Sequence, residues 1–193
     1  MYGKTNAGVA LAARVDSIGA MVCRDAITEA ALNGRLFMGA NQTPVATSTT
    51  LHTTFTGLGL CNPTGSGKLF IVHEFGYALD QACAGELVLA LATTTESGFS
   101  AGTPIIVRSA RWGCGGSSAI LTAAATIIAP IIIKIIATLG QGIDTTQLMP
   151  PPTLIPVKGI VIPAGRALVT DTTVATGATS IQFHFMWEEV DEG

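Results

Sequence analysis

Residues 55–79 read FTGLGLCNPTGSGKLFIVHEFGYAL, two apolar runs on either side of the turn Asn62-Pro63-Thr64-Gly65-Ser66-Gly67. Pro63 fixes its own φ, and Gly65 and Gly67 can take positive φ without steric penalty. Leu69-Phe70-Ile71-Val72 then gives way to Phe75, Tyr77 and Leu79 at alternate positions, the pattern of a strand with one fully buried end. The stretch predicts a tight strand-turn-strand hairpin near the start of a β domain. Its GSGK is a phosphate loop in appearance only. Such a loop needs Gly six residues before the lysine and Ser or Thr after it, and here those positions hold Asn62 and Leu69. A strand follows the turn, so no helix N-terminus is offered to a phosphate.

The chain of 193 residues is 48% hydrophobic and only 12% charged, which leaves little charge to spread over the surface of a solitary domain. That balance predicts surfaces hidden by other subunits or by a larger assembly. A net charge of −3 lacks the basic excess usual in proteins that bind nucleic acid or anionic membranes, and neither partner is expected. Cys23, Cys61, Cys83 and Cys114 are far apart with no CxxC pair, so they read as free thiols in a protein made in a reducing cytoplasm. The opening Met1-Tyr2-Gly3-Lys4 does not resemble a secretory signal.

Residues 1–50 differ from the rest and read as an N-terminal arm, part helix and part extended. Leu11, Val15, Ile18, Val22, Ala26 and Ala30 fall at helical spacing, with Asn33-Gly34 as the stop and Gly19 as a weak point. Lys4, Arg14, Arg24 and Arg35 outnumber Asp16, Asp25 and Glu29, so the arm is slightly basic. From residue 51 onward turn signals recur at sandwich-like intervals. Strands are predicted at 54–60, 68–79, 86–93, 104–111, 126–137, 157–162, 166–172 and 180–189. With no strong helix between them, the fold class is all-β, an antiparallel, jelly-roll-like β-sandwich over residues 51–193.

Residues 119–139 are long enough to span a membrane, but Pro130 and Lys134 interrupt them and their isoleucines suit a strand. They read as a loop leading into a buried strand partly covered by a neighbouring subunit. In the last strand Ile181, Phe183, Phe185 and Trp187 alternate with Gln182, His184, Met186 and Glu188. Glu188, Glu189, Asp191 and Glu192 then read as a solvated acidic tail.

No catalytic constellation stands out. Gln81-Ala82-Cys83-Ala84-Gly85 is near a caspase-type nucleophile signature, but Ala84 is not among its residues and no His-Gly pair lies upstream. His52, His73 and His184 sit on separate segments without the HxH spacing of a cupin-type metal site. His73-Glu74 is the only His-carboxylate neighbour pair, and adjacent strand residues should face opposite ways. The acids before the tail are mostly single, unlike a glycosidase pair, and Ser66, Ser117 and Ser118 lack the G-x-S-x-G elbow. No enzyme activity, cofactor or metal is therefore expected. Trp112, just before Gly113-Cys114-Gly115-Gly116, is of another kind: an aromatic ahead of a glycine loop suits a subunit contact as well as a core position.

Three stretches together, GLGLCNPTGSGKLFIVHEFGYAL (57–79), GIVIPAGRALV (159–169) and SIQFHFMWEE (180–189), resemble virion structural proteins of tailed bacteriophages. RLFMGANQTPVATSTTLHTTFTGL (35–58) extends the resemblance to about residues 35–189, while the isoleucine-rich 127–136 departs from it. These motifs are turns and strand cores and bring no site residues with them. The resemblance implies a jelly-roll-like domain that assembles as a symmetric oligomer, most often a homotrimer. Among such proteins it is nearest to capsid decoration, or cement, proteins, whose partner is the major capsid protein and whose place is the outer surface of the head. Arg14, Arg24, Arg35 and Phe37 of the arm, with Trp112, are the expected subunit or capsid contacts. A tail or baseplate component, a lectin-like sugar-binding module and a cupin-like metal enzyme are the alternatives.

Overall fold

Side chains alternate between the two faces of a strand, so each apolar strand has a face to hide, and two sheets meet over it. The computed structural model describes residues 2–4, 10–12, 25–43, 54–79, 87–99, 102–128, 130–139, 153–172 and 181–193. Its elements are β1 (Tyr2–Lys4), β2 (Ala10–Ala12), α1 (Ala26–Leu32), β3 (Leu36–Ala40), β4 (Thr54–Asn62), β5 (Lys68–Leu79) and β6 (Leu87–Thr95). After a 3-10 turn at Glu96–Gly98 come β7 (Thr103–Pro104), β8 (Arg108–Ser109), β9 (Ile120–Ile128) and β10 (Ile131–Leu139). The last are β11 (Thr153–Ile162), β12 (Arg166–Thr172) and β13 (Ile181–Asp191). A six-stranded sheet has the order β10-β6-β12-β4-β9-β7, a five-stranded one β11-β5-β13-β3-β8, and β1 and β2 form a separate pair.

The pairing is nested. β4 pairs with β12, β5 with β11 and β6 with β10, all antiparallel. The first strand of one run thus meets the last of the other, as in a long hairpin rolled into a jelly-roll-like sandwich. The core divides its chemistry between the layers. The six-stranded sheet contributes Leu58, Leu60, Leu89, Leu91, Leu121 and Leu168, and the five-stranded sheet contributes Phe37, Phe70, Phe75, Tyr77, Phe183, Phe185 and Trp187. The rings touch one another: Phe75 lies 5.4 Å from Phe185 and 5.9 Å from Phe183, and Trp187 lies 6.3 Å from Phe37.

Several expectations from sequence are corrected. The turn at 62–67 is an arch between sheets and not a hairpin, because β4 belongs to the six-stranded sheet and β5 to the five-stranded one. Leu58 and Leu60 can then face Phe70 and Val72 across the core, where a hairpin would set them side by side on one face. Gly65 and Gly67 take φ of 79° and 65°. Buried Asn62 locks the arch: its Nδ2 donates to the carbonyls of Lys68 (2.7 Å) and Ile162 (2.9 Å), and its Oδ1 accepts from Ser66 Oγ at 2.6 Å.

The single strand expected at 126–137 is two strands, with Pro130 between them; proline has no N–H to continue a ladder. The end of β9 folds back over the outer face of its sheet. There Ile127 joins Cys61, Ala92, Ala167 and Val169 in a second apolar cluster, and Thr94 Oγ1 donates to the Ile128 carbonyl (3.4 Å). The strand expected at 104–111 is divided between sheets: Ile105 N donates to Leu121 O (2.9 Å) and Ala110 N to Leu36 O (2.8 Å).

At the other end of the chain, Leu11 lies in β2, and α1 begins only at Ala26. Asp25 is the reason. Its carboxylate accepts from Thr28 N (2.9 Å), a capping bond that starts a helix inside the apolar pattern. The helix ends where expected, at Asn33 and Gly34, with Gly34 at φ 71° and Arg35 N bonded to Ala30 O (2.9 Å). β3 then pairs with β13, so the sandwich takes residues 36–40 from the stretch assigned to the arm. Residues 13–24 lie outside the described residues.

Two outcomes follow from the arch. Asn62→Ala takes the side-chain donor from one buried and one part-buried carbonyl and should lower unfolding free energy by about 1–3 kcal/mol in urea titration. Glu96 accepts from Thr64 N (2.7 Å) and Thr64 Oγ1 (2.5 Å), and these bonds, the side-chain one first, hold its carboxyl below the ordinary 4.5. A depressed carboxylate stabilises the fold above its unfolded value and loses that contribution as pH falls through the folded one. Thr64→Ala should therefore be less stable at neutral pH and lose less stability on acidification below 4.5 than the parent chain.

Candidate interaction site

The two sheets run in the same sense, so the sandwich has two open sides, β10 with β11 and β7 with β8. The chain closes the second side by crossing from β7 to β8, with Ile105 and Val107 packed inward and Ile106 and Arg108 exposed. Beyond β8 the loop 110–119 carries Trp112, which is 97% exposed. With Met38 and Ile106 also exposed on this side, the ring adds to a group of apolar residues left in water.

That loop is held from three directions. Arg111 Nη1 donates to the Leu32 carbonyl at the end of α1 (2.7 Å). Cys114 packs against Gly34 so closely that a Cβ there would sit 2.9 Å from its Sγ. Glu189, 6% exposed, accepts from Ser117 Oγ, Ser118 N (3.2 Å), Ser118 Oγ (2.7 Å) and Trp187 Nε1 (3.2 Å). Trp112 stands at the apex, followed by Gly113 at φ 82°. Beneath it lies a groove of about 860 Å³ whose walls include Met38, Gln42, Ile106, Arg108 and Arg111 and, among the described residues, no carboxylate.

The opposite side is apolar in a different way. Among the described residues β10 is an edge strand, and Ile131, Ile133 and Ile135 are 68%, 47% and 66% exposed along it. Val161 of β11, 49% exposed, continues the strip across a smaller groove of about 270 Å³. Edge strands are usually guarded by charge, and on β10 only Lys134 supplies it.

Of the residues expected to make contacts, Trp112 lies fully open on the surface. Arg35 is partly exposed, and its Nη1 is bonded to Glu188 (2.8 Å). Phe37 is corrected: at 5% exposure it stacks on Trp187 inside the core, because β3 directs it inward, and it is not free to touch a partner. Arg14 and Arg24 lie outside the described residues, as does His52.

Glu188 and Glu189 are not part of a solvated tail. They are 8% and 6% exposed, still within β13, and bonded to Arg35, His73 and the loop serines. Sequence reasoning missed Glu189 because its serine partners are more than seventy positions away; its place two residues after the core tryptophan Trp187, on the same side of the strand, was the one available signal. A bulge also overturns the expected geometry of His73 and Glu74. Met186 pairs with Glu74 and Trp187 with Val72, so both residues fall outside the core. His73 Nε2 meets Glu188 (3.4 Å) and His184 Nε2 meets Glu74 (3.1 Å).

Among the described residues, no three or more His, Cys, Asp or Glu are grouped to hold a metal ion, and no helix is long and apolar enough to cross a membrane. Burial, with a lesser effect from the Glu96 charge, pushes the Cys61 thiol up to about 12, which leaves it protonated and a poor nucleophile. No family model, curated protein or solved structure matches the chain.

The two tryptophans give the site its own reporter, since Trp187 is 0% exposed. Acrylamide should quench a red-shifted Trp112 component and leave a protected Trp187 one. Trp112→Phe should abolish the quenchable component and shift unfolding free energy by under about 0.5 kcal/mol. Equal quenching of both would contradict the exposed placement.

Proposed function

We propose that this chain is a virion structural protein of the tailed-phage kind, a capsid decoration or cement protein that binds the head lattice as a homotrimer and stabilises it. The observation that carries the reading is the pair of apolar surfaces on opposite sides of one sandwich in a chain with only 12% charged residues. The resemblance of residues 35–189 to phage virion proteins supplies the setting. The β10 and β11 side joins the three copies, and the Trp112 side faces the lattice.

Such a protein works by binding energy alone. Each apolar contact with the lattice contributes about 25 cal/mol for every Å² removed from water, and expansion or rupture would have to expose that area again. Three linked copies engage together, so individually weak contacts add through effective concentration. The partner is the major capsid protein, the site of synthesis is the host cytoplasm, and no nucleic acid, membrane or cofactor takes part.

Light scattering during size exclusion should give three times the 19.8 kDa chain mass. The double variant Ile133→Glu, Ile135→Glu changes exposed side chains only, so it should elute as a folded monomer with an unchanged circular dichroism spectrum. A parent chain that is monomeric at all concentrations would remove the preformed trimer. Gold-labelled antibody should mark the heads of the virions whose genome encodes the chain. Label on tails would move the reading to a tail or baseplate component, and unlabelled virions would overturn it.

A further inference from the structure

The groove beneath Trp112 has a defined chemistry. Arg108 and Arg111 are exposed, and among the described residues the lining contains no Asp or Glu although the whole chain is net negative. Arg111 spends one N–H on Leu32 and retains others, since a guanidinium carries five. Met38 and Ile106, 41% and 68% exposed, provide an apolar floor beside the Trp112 ring. Among the described residues β8 is the outermost strand of its sheet, so one row of its main-chain groups faces away from β3.

We propose that this groove binds an extended acidic segment of a partner protein, laid as an added strand along the outer edge of β8. Carboxylates on one face of the segment meet Arg108 and Arg111, and an apolar side chain between them enters the space formed by Met38, Ile106 and Trp112. In an extended chain, residues two apart share a face, so the motif is acid, apolar, acid at alternate positions. Arginine suits such a partner because its planar fork receives a carboxylate with two parallel bonds. A second copy of this chain is the poorer occupant, because its exposed apolar edge carries Lys134, of the same sign as the groove. The inference names the partner chemistry of the surface read above as lattice-facing and rests on that reading.

The test uses the full-length protein and a blocked heptapeptide in which Glu, Leu and Glu alternate with Thr, with a Lys-for-Glu control. Binding is followed by the blue shift of Trp112 emission and by anisotropy of a labelled peptide. The acidic peptide should bind at least about tenfold more tightly than the basic one, and raising salt to about 0.5 M should weaken it. Arg108→Glu should weaken the acidic peptide at least about tenfold and lift the basic one, a reversal that misfolding cannot produce. Trp112→Ala should weaken both peptides. Equal binding of the two peptides, or none by either, overturns the inference. Gold labelling of virions is read separately, so labelled heads with no acidic preference would sink the peptide chemistry and leave the decoration reading standing.

Discussion

Everything in this sandwich depends on the inward row of β13 pressed between neighbours of its own sheet and the leucines opposite. Ile181, Phe183, Phe185 and Trp187 are all at most 1% exposed, and three of them are among the largest side chains fully buried in the chain. Truncating one such aromatic costs about 3–5 kcal/mol, a large share of the stability of any domain. β13 also holds β5 on one side and β3 on the other, so the same strand sets the register of its sheet. Its last inward residue is polar: Glu189 turns from the core to the serines of the 110–119 loop.

That continuity links core to surface. A loop carrying a bare tryptophan would lose part of its binding energy to ordering on contact. Here α1, Gly34 and Glu189 hold both flanks of Trp112. On the other side the outward isoleucines of β10 are fixed by their strand's pairing with β6. Both surfaces are thus tied to the fold, and both leave apolar area in water.

Much of the sandwich was legible because alternation in an apolar strand is a local property. The bounds of β5 and β12 match those expected, and the edges of β4, β6 and β13 differ by two residues or fewer. The place of Trp112 before a glycine run left a core position and a surface one open, and the structure puts it on the surface. The failures share a cause, which is that partners distant in sequence decided them. Apolar periodicity could not say that β4 and β5 would face each other across the core. Nor could it show that the bulge at His73 would put two neighbours outside it, or that β3 would join β13 and bury Phe37. Glu189 looked solvated because its serine partners lie about seventy residues earlier.

By itself the sequence determined an all-β chain with a helix stop at Asn33-Gly34 before it, a low content of charge, and turns at 62–67 and 163–165. Those follow from backbone sterics, side-chain alternation and composition, which act within a few residues. Only the tertiary structure decided which strands share a sheet, which acids are buried, and that Met38, Ile106 and Trp112 stand exposed on one side and Ile131, Ile133, Ile135 and Val161 on another. Those depend on which distant segments meet when the apolar faces close, and that choice is made by packing the whole core at once.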